Sequence, residues 1–350
     1  MRATASLVVA LSWILFATAW AAPPLPKYAL TEIPSIVPAG GTMSASAIND
    51  RDEVGGNATQ PDGAPFYGAA LAFFYQHSTG AVNQLTFSSQ TFSNAGGIND
   101  KGLIAGFVDL SDGFQAVLWS STGGAEALEP SSPMSMAMAI NDNGTVVGSF
   151  DCTIGRAAGC AAEWSGPNHV FAALPLLPIP ASVVFCVRQS SNALAINKHG
   201  HIVGWADSCG AGGAVEWQHG NITLLVPDAA NGVSVASGLN NSDDVVGVSG
   251  DHAFLYRRGR LSDLGTLPGD ASSSANALND NGEIVGVSRD VNGNSRAFIY
   301  VNGQMYDLNA LVDTGSVTLQ EAVGINSQGW IAANGTRDGQ QNAYLLERVR

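Results

Sequence analysis

Basic charge is scarce in this sequence. Lysine occurs only at Lys27, Lys101 and Lys198, and 15 basic residues face 29 acidic ones, for a formal charge of −14. Phosphate backbones and anionic lipid surfaces repel such a chain, so neither nucleic acid nor an anionic membrane is an expected partner. Long apolar runs are missing after the N-terminus, so no later stretch reads as a bilayer span. Catalytic signatures are missing too: there is no HExxH, no GxSxG and no glycine-rich phosphate loop with its lysine.

At the N-terminus, Arg2 precedes an apolar run from Ala5 to Ala19 and a small-residue site at Ala19–Trp20–Ala21. This predicts a secretory signal peptide over 1–21 and a single mature domain over 22–350, exported to the periplasm or beyond the cell. Only four cysteines are present, and an oxidising compartment makes pairing the default. Cys152 and Cys160 flank one short loop, and Cys186 and Cys209 lie nearly symmetrically about the turn near Lys198, which predicts the pairs Cys152–Cys160 and Cys186–Cys209. The spacings are not those of a zinc site.

The chain is otherwise full of itself. A pattern of Ala, any residue, Ala or Gly, Ile or Leu, then Asn recurs with its asparagine at Asn49, Asn99, Asn141, Asn197, Asn240, Asn279 and Asn326, a mean period of about 46 residues. Alanine stands four positions before every one of these, and a β-branched residue five positions after. Alternation within each copy is that of strands, with Ala, the small residue and Asn on one face and Ile or Leu on the other. Asparagine with a glycine three residues later is hairpin chemistry, and turn geometry explains both. A second strand of the Ile-Val-Gly kind follows, then a third ending in an aromatic residue that packs between sheets, as at Tyr75, Trp119, Trp164 and Trp217. Six copies have a fourth strand ending in leucine. The seventh lacks one, while the orphan segment Tyr28–Pro34 resembles it. The fold class predicted is therefore all-β: a seven-bladed β-propeller of four-stranded blades, the last closed by the N-terminal strand.

The stretch from Asp251 to Ser288 carries His252, Ala253 and Phe254, then LSDLGTLPGD, then NDNGEIVG. It resembles the extracellular HAF-repeat family. The resemblance implies an exported, propeller-like repeat protein and brings no catalytic residues with it. Elsewhere the histidine is replaced, by Gln115 or Arg296 for example.

In a blade of this order, the loops between second and third strands share a rim with the connections between blades, and the most irregular segments fall there. Variable loops on a rigid ring are where binding is expected. Each second-to-third loop has an aspartate: Asp62, Asp112, Asp151, Asp207, Asp251, Asp290 and Asp338. These are the candidate ligand-binding rim, although aspartate also simply solvates turns. Asp290, Asn292 and Asn294 alternate as a weak Ca²⁺ candidate, without the glycine and terminal glutamate of an EF-hand. His199 and His201 alternate on one turn with His219 nearby in sequence, but spacing places no third ligand for a zinc site, and they read as surface histidines. The function expected is a monomeric binding module for an extracellular protein or glycan. The alternative is a hydrolase or lyase acting on an exported polymer, with carboxylates at the channel mouth. A third reading is a spacer without a small ligand.

Overall fold

The computed structural model describes residues 24–61, 70–87, 92–110, 113–128, 134–152, 159–181, 183, 186, 189–229 and 232–349. The segment read as a signal peptide lies outside them. Among the described residues the strands form seven four-stranded antiparallel sheets, each in sequential order except the last. Blade 1 runs Thr42–Ile48, Glu53–Thr59, Ala70–Gln76 and Ala81–Gln84. Blade 7 has Val317–Ile325, Ile331–Arg337 and Gln340–Val349, and its outer strand is Lys27–Glu32. That N-terminal strand pairs antiparallel with the last one, from Lys27 opposite Val349 to Glu32 opposite Tyr344. The fold is the seven-bladed propeller expected, closed as expected.

Seven hydrophobic clusters hold the ring together, one at each contact between neighbouring blades. The third-strand rings supply much of their volume: Tyr75, Trp119, Trp164 and Trp217 are all essentially buried. Indole nitrogens are satisfied across the junctions, Trp119 Nε1 donating to Thr86 O and Trp217 Nε1 to Pro175 O. Serine adds a polar clamp. Ser93, Ser135, Ser191 and Ser273 each accept from the amide of the alanine in the third strand of the preceding blade, at 2.8 to 3.0 Å.

One expectation needs correction. Strict alternation of the first strand fails, because every blade has a register shift between the alanine four before the asparagine and the residue two before it, as between Ala45 and Ala47. The extra residue of this bulge, Ser46 in blade 1, joins Ala47 and Ile48 in lining the central channel, and the shift leaves Ala45 packing with Ile48 toward blade 7 while Ala47 packs toward blade 2, so the alanine and the small residue are on opposite faces. The bulge also explains the glycine of the second strand. A Cβ at Gly106, Gly148, Gly204 or Gly247 would overlap the first-strand carbonyl oxygen of Asn94, Met136, Asn192 or Val235. Between blades, a Cβ at Gly97 would come within 2.9 Å of the Ala139 Cα, so the inner strands approach at backbone distance.

Gly204→Ala should therefore destabilise the protein by about 2–3 kcal/mol, since the obstruction is backbone. Urea unfolding should show a lower midpoint at unchanged slope; an unchanged midpoint would contradict the steric account.

Candidate functional site

All seven recurrent asparagines are buried and meet around the axis. Each side chain does two things. Its Oδ1 accepts the amides two and four residues later, as Asn141 does from Asn143 and Thr145 at 3.1 and 3.0 Å. Its Nδ2 donates to the backbone carbonyl of the asparagine in the next blade. The donors run from Asn49 to Asn99, Asn141, Asn197, Asn240, Asn279, Asn326 and back to Asn49, at 2.9 to 3.2 Å. The ring of hydrogen bonds is closed.

The second Nδ2 hydrogen is taken in five blades. Asn49, Asn240 and Asn279 donate to Glu53, Asp244 and Glu283 of their own turns, each paired with an arginine: Arg51, Arg257 and Arg348. Asn197 and Asn326 donate instead to Asp243 and Asp52 of the next blade. Those two aspartates stand where the other turns have glycine, at φ 62° and 61°. Burial pushes the Asp52 carboxyl above its ordinary value, against the opposing effect of the Asn326 hydrogen bond.

Just outside this ring, the next residues form a second one. Asp50, Asp100, Asp142, Asn241 and Asp280 each accept through Oδ1 an amide from the preceding blade, at 2.7 to 3.1 Å. Together with Lys198 and Ser327 they border a polar mouth of about 200 Å³ on the turn rim. Beneath it, a collar of Ile48, Ile98, Ile140, Ile196, Leu239, Leu278 and Ile325 separates the mouth from the rest of the channel. Asp100 is raised above its ordinary value by burial first and by Asp142 and Asp50 next.

Of the aspartates singled out for the opposite rim, five lie among the described residues. Asp62 and Asp112 lie outside the described residues. Asp151 donates its amide to Met134 O beside Cys152. Asp207 accepts from the Gly210 amide, closing its own turn. Asp290 accepts from the amides of Asn292 and Asn294 and from the Asn294 side chain, hydrogen bonds that hold its carboxyl below the usual range. The calcium candidate is thus an Asx turn closed on itself. Asp338 sits in a left-handed turn at φ 51°. Among the described residues no group of three or more His, Cys, Asp and Glu is arranged to hold a metal ion.

Asp251 differs, because it shares a cavity of about 340 Å³ with His252 and Asp263. His252 Nδ1 lies 2.9 Å from Asp263. Burial would raise Asp263, but hydrogen bonds from His252 and the Gly265 amide outweigh it and hold the carboxyl low. In blade 6 Arg296 pairs with Asp307 at the corresponding place. The histidine of the HAF stretch is therefore one form of a cross-strand pair between third and fourth strands.

The disulfides form as expected, Cys152–Cys160 and Cys186–Cys209. Two of the three clustered histidines, His199 and His219, are exposed, whereas the His201 side chain is only 13% exposed. Its Nδ1 lies 2.7 Å from Asp243 Oδ1, with the Glu216 carboxylate 3.9 Å away. Burial pushes Glu216 up, partly offset by His201.

Two outcomes are expected of the rings. Asn141→Ala should cost about 3 kcal/mol in unfolding free energy, because it strands two turn amides and a buried carbonyl. For Asp100→Asn the sign follows from the raised folded value: the wild type gains stability only as the carboxyl protonates and loses it as pH rises through that value. The variant should melt higher than wild type near neutral pH and match it below about pH 3.8.

No protein-family model and no curated protein sequence matches the chain. Solved structures do. Virginiamycin B lyase from Staphylococcus aureus, solved as a catalytically inactive variant with quinupristin, aligns over 92% of this chain and 100% of its own, with TM-score 0.56 and 10% identity. The β-propeller domain of the Trilobed protease from Pyrococcus furiosus, described as having an open velcro topology, aligns over 89% of this chain and 95% of its own at TM-score 0.56 and 10% identity. Pyrococcus horikoshii acylaminoacyl peptidase aligns over 87% of this chain but only 52% of its own, at TM-score 0.55 and 10% identity. At such identity the likeness is one of fold, and what this chain shares with all three is the propeller.

Proposed function

We propose that the chain is an exported propeller of the HAF-repeat kind that binds an extracellular protein or glycan through its irregular rim. The observation that carries this reading is the placement of the disulfides. Cys152–Cys160 closes the second-to-third-strand loop of blade 3, and Cys186–Cys209 ties the connection between blades 3 and 4 to the turn after the second strand of blade 4. Both staples serve the same rim on adjacent blades. Ordering loops before binding removes part of the entropic cost of association. Exposed Met134, Ile179 and Val233 lie on the same side, in three successive connections, and give the rim apolar anchors. Paired cysteines also fit an oxidising destination, and among the described residues no helix is long and apolar enough to cross a membrane.

The enzymatic reading has one observation in its favour, the cavity that Asp251 shares with the His252–Asp263 pair. A general acid or base could be built from such a pair. The equivalent Arg296–Asp307 pair argues for register instead.

Screening the mature protein against glycan arrays and extracellular protein fractions tests the reading. Ile179→Asp combined with Val233→Asp should reduce partner binding at least tenfold while leaving the melting temperature unchanged. Polymer cleavage abolished by Asp251→Asn, with no binding lost in the rim variant, would favour the enzyme.

A further inference from the structure

On the turn side, between blades 3 and 4, lies a groove of about 280 Å³ that the rings around the axis do not reach. Its apolar floor includes Leu174, Pro175 and Trp217, and its polar lining is Glu163, Gln218 and His219. Among the described residues no lysine or arginine lines it. The Glu163 side chain makes no hydrogen bond or ion pair with any described residue, so a carboxylate faces the groove with its acceptor capacity unfilled.

Gln218 is oriented from behind. A carboxylate only accepts, so Asp243 requires the His201 proton on Nδ1, where the two are 2.7 Å apart. His201 Nε2 is then left as an acceptor, and the Gln218 side-chain nitrogen lies against it. The relay from Gln218 through His201 to Asp243 occupies the amide nitrogen and leaves Gln218 Oε1 as the free acceptor. Asp243 is itself tied to the asparagine ring through Asn197. The groove therefore offers one unpaired anion and one fixed neutral acceptor above an apolar floor, and pockets of this kind take small ligands with a single well-placed polar end.

We propose that this groove binds a protonated primary amine borne on a small apolar body. The ammonium donates charge-assisted hydrogen bonds to Glu163 and Gln218 Oε1, and the apolar body covers the Leu174–Pro175–Trp217 floor. The net charge of −14 raises the local concentration of any such cation. The site is on the rim opposite the disulfides and does not depend on the rim function proposed above.

Saturation-transfer NMR and thermal shift on the mature protein at pH 7, with benzylamine and its neutral counterpart benzyl alcohol, test this directly. Benzylamine should bind, benzyl alcohol should bind at least tenfold more weakly, and Glu163→Gln should cost the amine at least tenfold without changing the melting temperature of the free protein. Equal response to the alcohol, or undiminished amine binding in Glu163→Gln, would overturn the proposal. So would loss of the amine response in an Asp50→Asn, Asp280→Asn double variant, which would place the amine at the axial mouth.

Discussion

The donation of each asparagine side chain to the backbone carbonyl of the next asparagine is the constraint on which the rest of this ring depends. Every polar atom of these residues is occupied. The amide N–H donates to the carbonyl four residues on, the carbonyl accepts from the amide three residues on and from the preceding blade, Oδ1 accepts twice, and Nδ2 donates across the junction. Aspartate would supply the Oδ1 but not the donor, glutamine would overreach, and serine has too few sites. Only asparagine fits, and it fits seven times. Because such groups are buried, an unmade bond would leave a desolvated partner behind, so the ring demands completion more than it adds net stability.

Completion at the axis forces the other dimensions. Asparagines that meet at hydrogen-bond distance bring seven first strands to a common centre, where the residue two before each asparagine is Ala or Gly. The bulge in each first strand turns its last residues toward the channel, and in six blades a first-strand carbonyl approaches the second strand so closely that glycine stands opposite, with Ala333 in the seventh. Farther out the blades diverge, and aromatic rings fill the widening gap. The circle closes at two radii, at the axis by Asn326 with Asn49 and at the periphery by Lys27–Glu32 on the last strand. Inner closure is polar and outer closure is a strand ladder, so sliding of the chain ends would break both at once.

Much of this was legible in the residues. Period, strand count, the orphan strand and both cysteine pairings are local or periodic features, and repetition amplifies them. What escaped was everything that passes between blades. Asn57 clamping the backbone of Ala95, or Ser135 accepting from Ala116, joins residues too far apart for spacing to relate. Two signals were nonetheless present. An Asx turn tolerates aspartate, so asparagine at all seven positions pointed to a needed donor. Serine six residues before the asparagine, in five of seven copies, marked the clamp. Conversely, the aspartates of the loop rim looked like a ring because each loop has one, yet Asp207 and Asp290 are answered within their own turns. The acidic circle is on the other rim, made by Asp50, Asp100, Asp142 and Asp280.

That reversal bears on where ligands can act. At the turn rim nearly every polar group near the axis is held by a neighbour, and Oδ1 of each acidic residue there already accepts an amide. Such a surface is built for rigidity, and a ligand drawn to it competes with bonds that maintain the ring. Among the described residues, the unfilled Glu163 carboxylate in its groove and the exposed apolar side chains of the blade connections are set back from the axis. A closed polar ring thus does more than hold the blades. By fixing Asp243 through Asn197, and His201 and Gln218 through Asp243, it carries its own order outward to the edge of a groove it does not line.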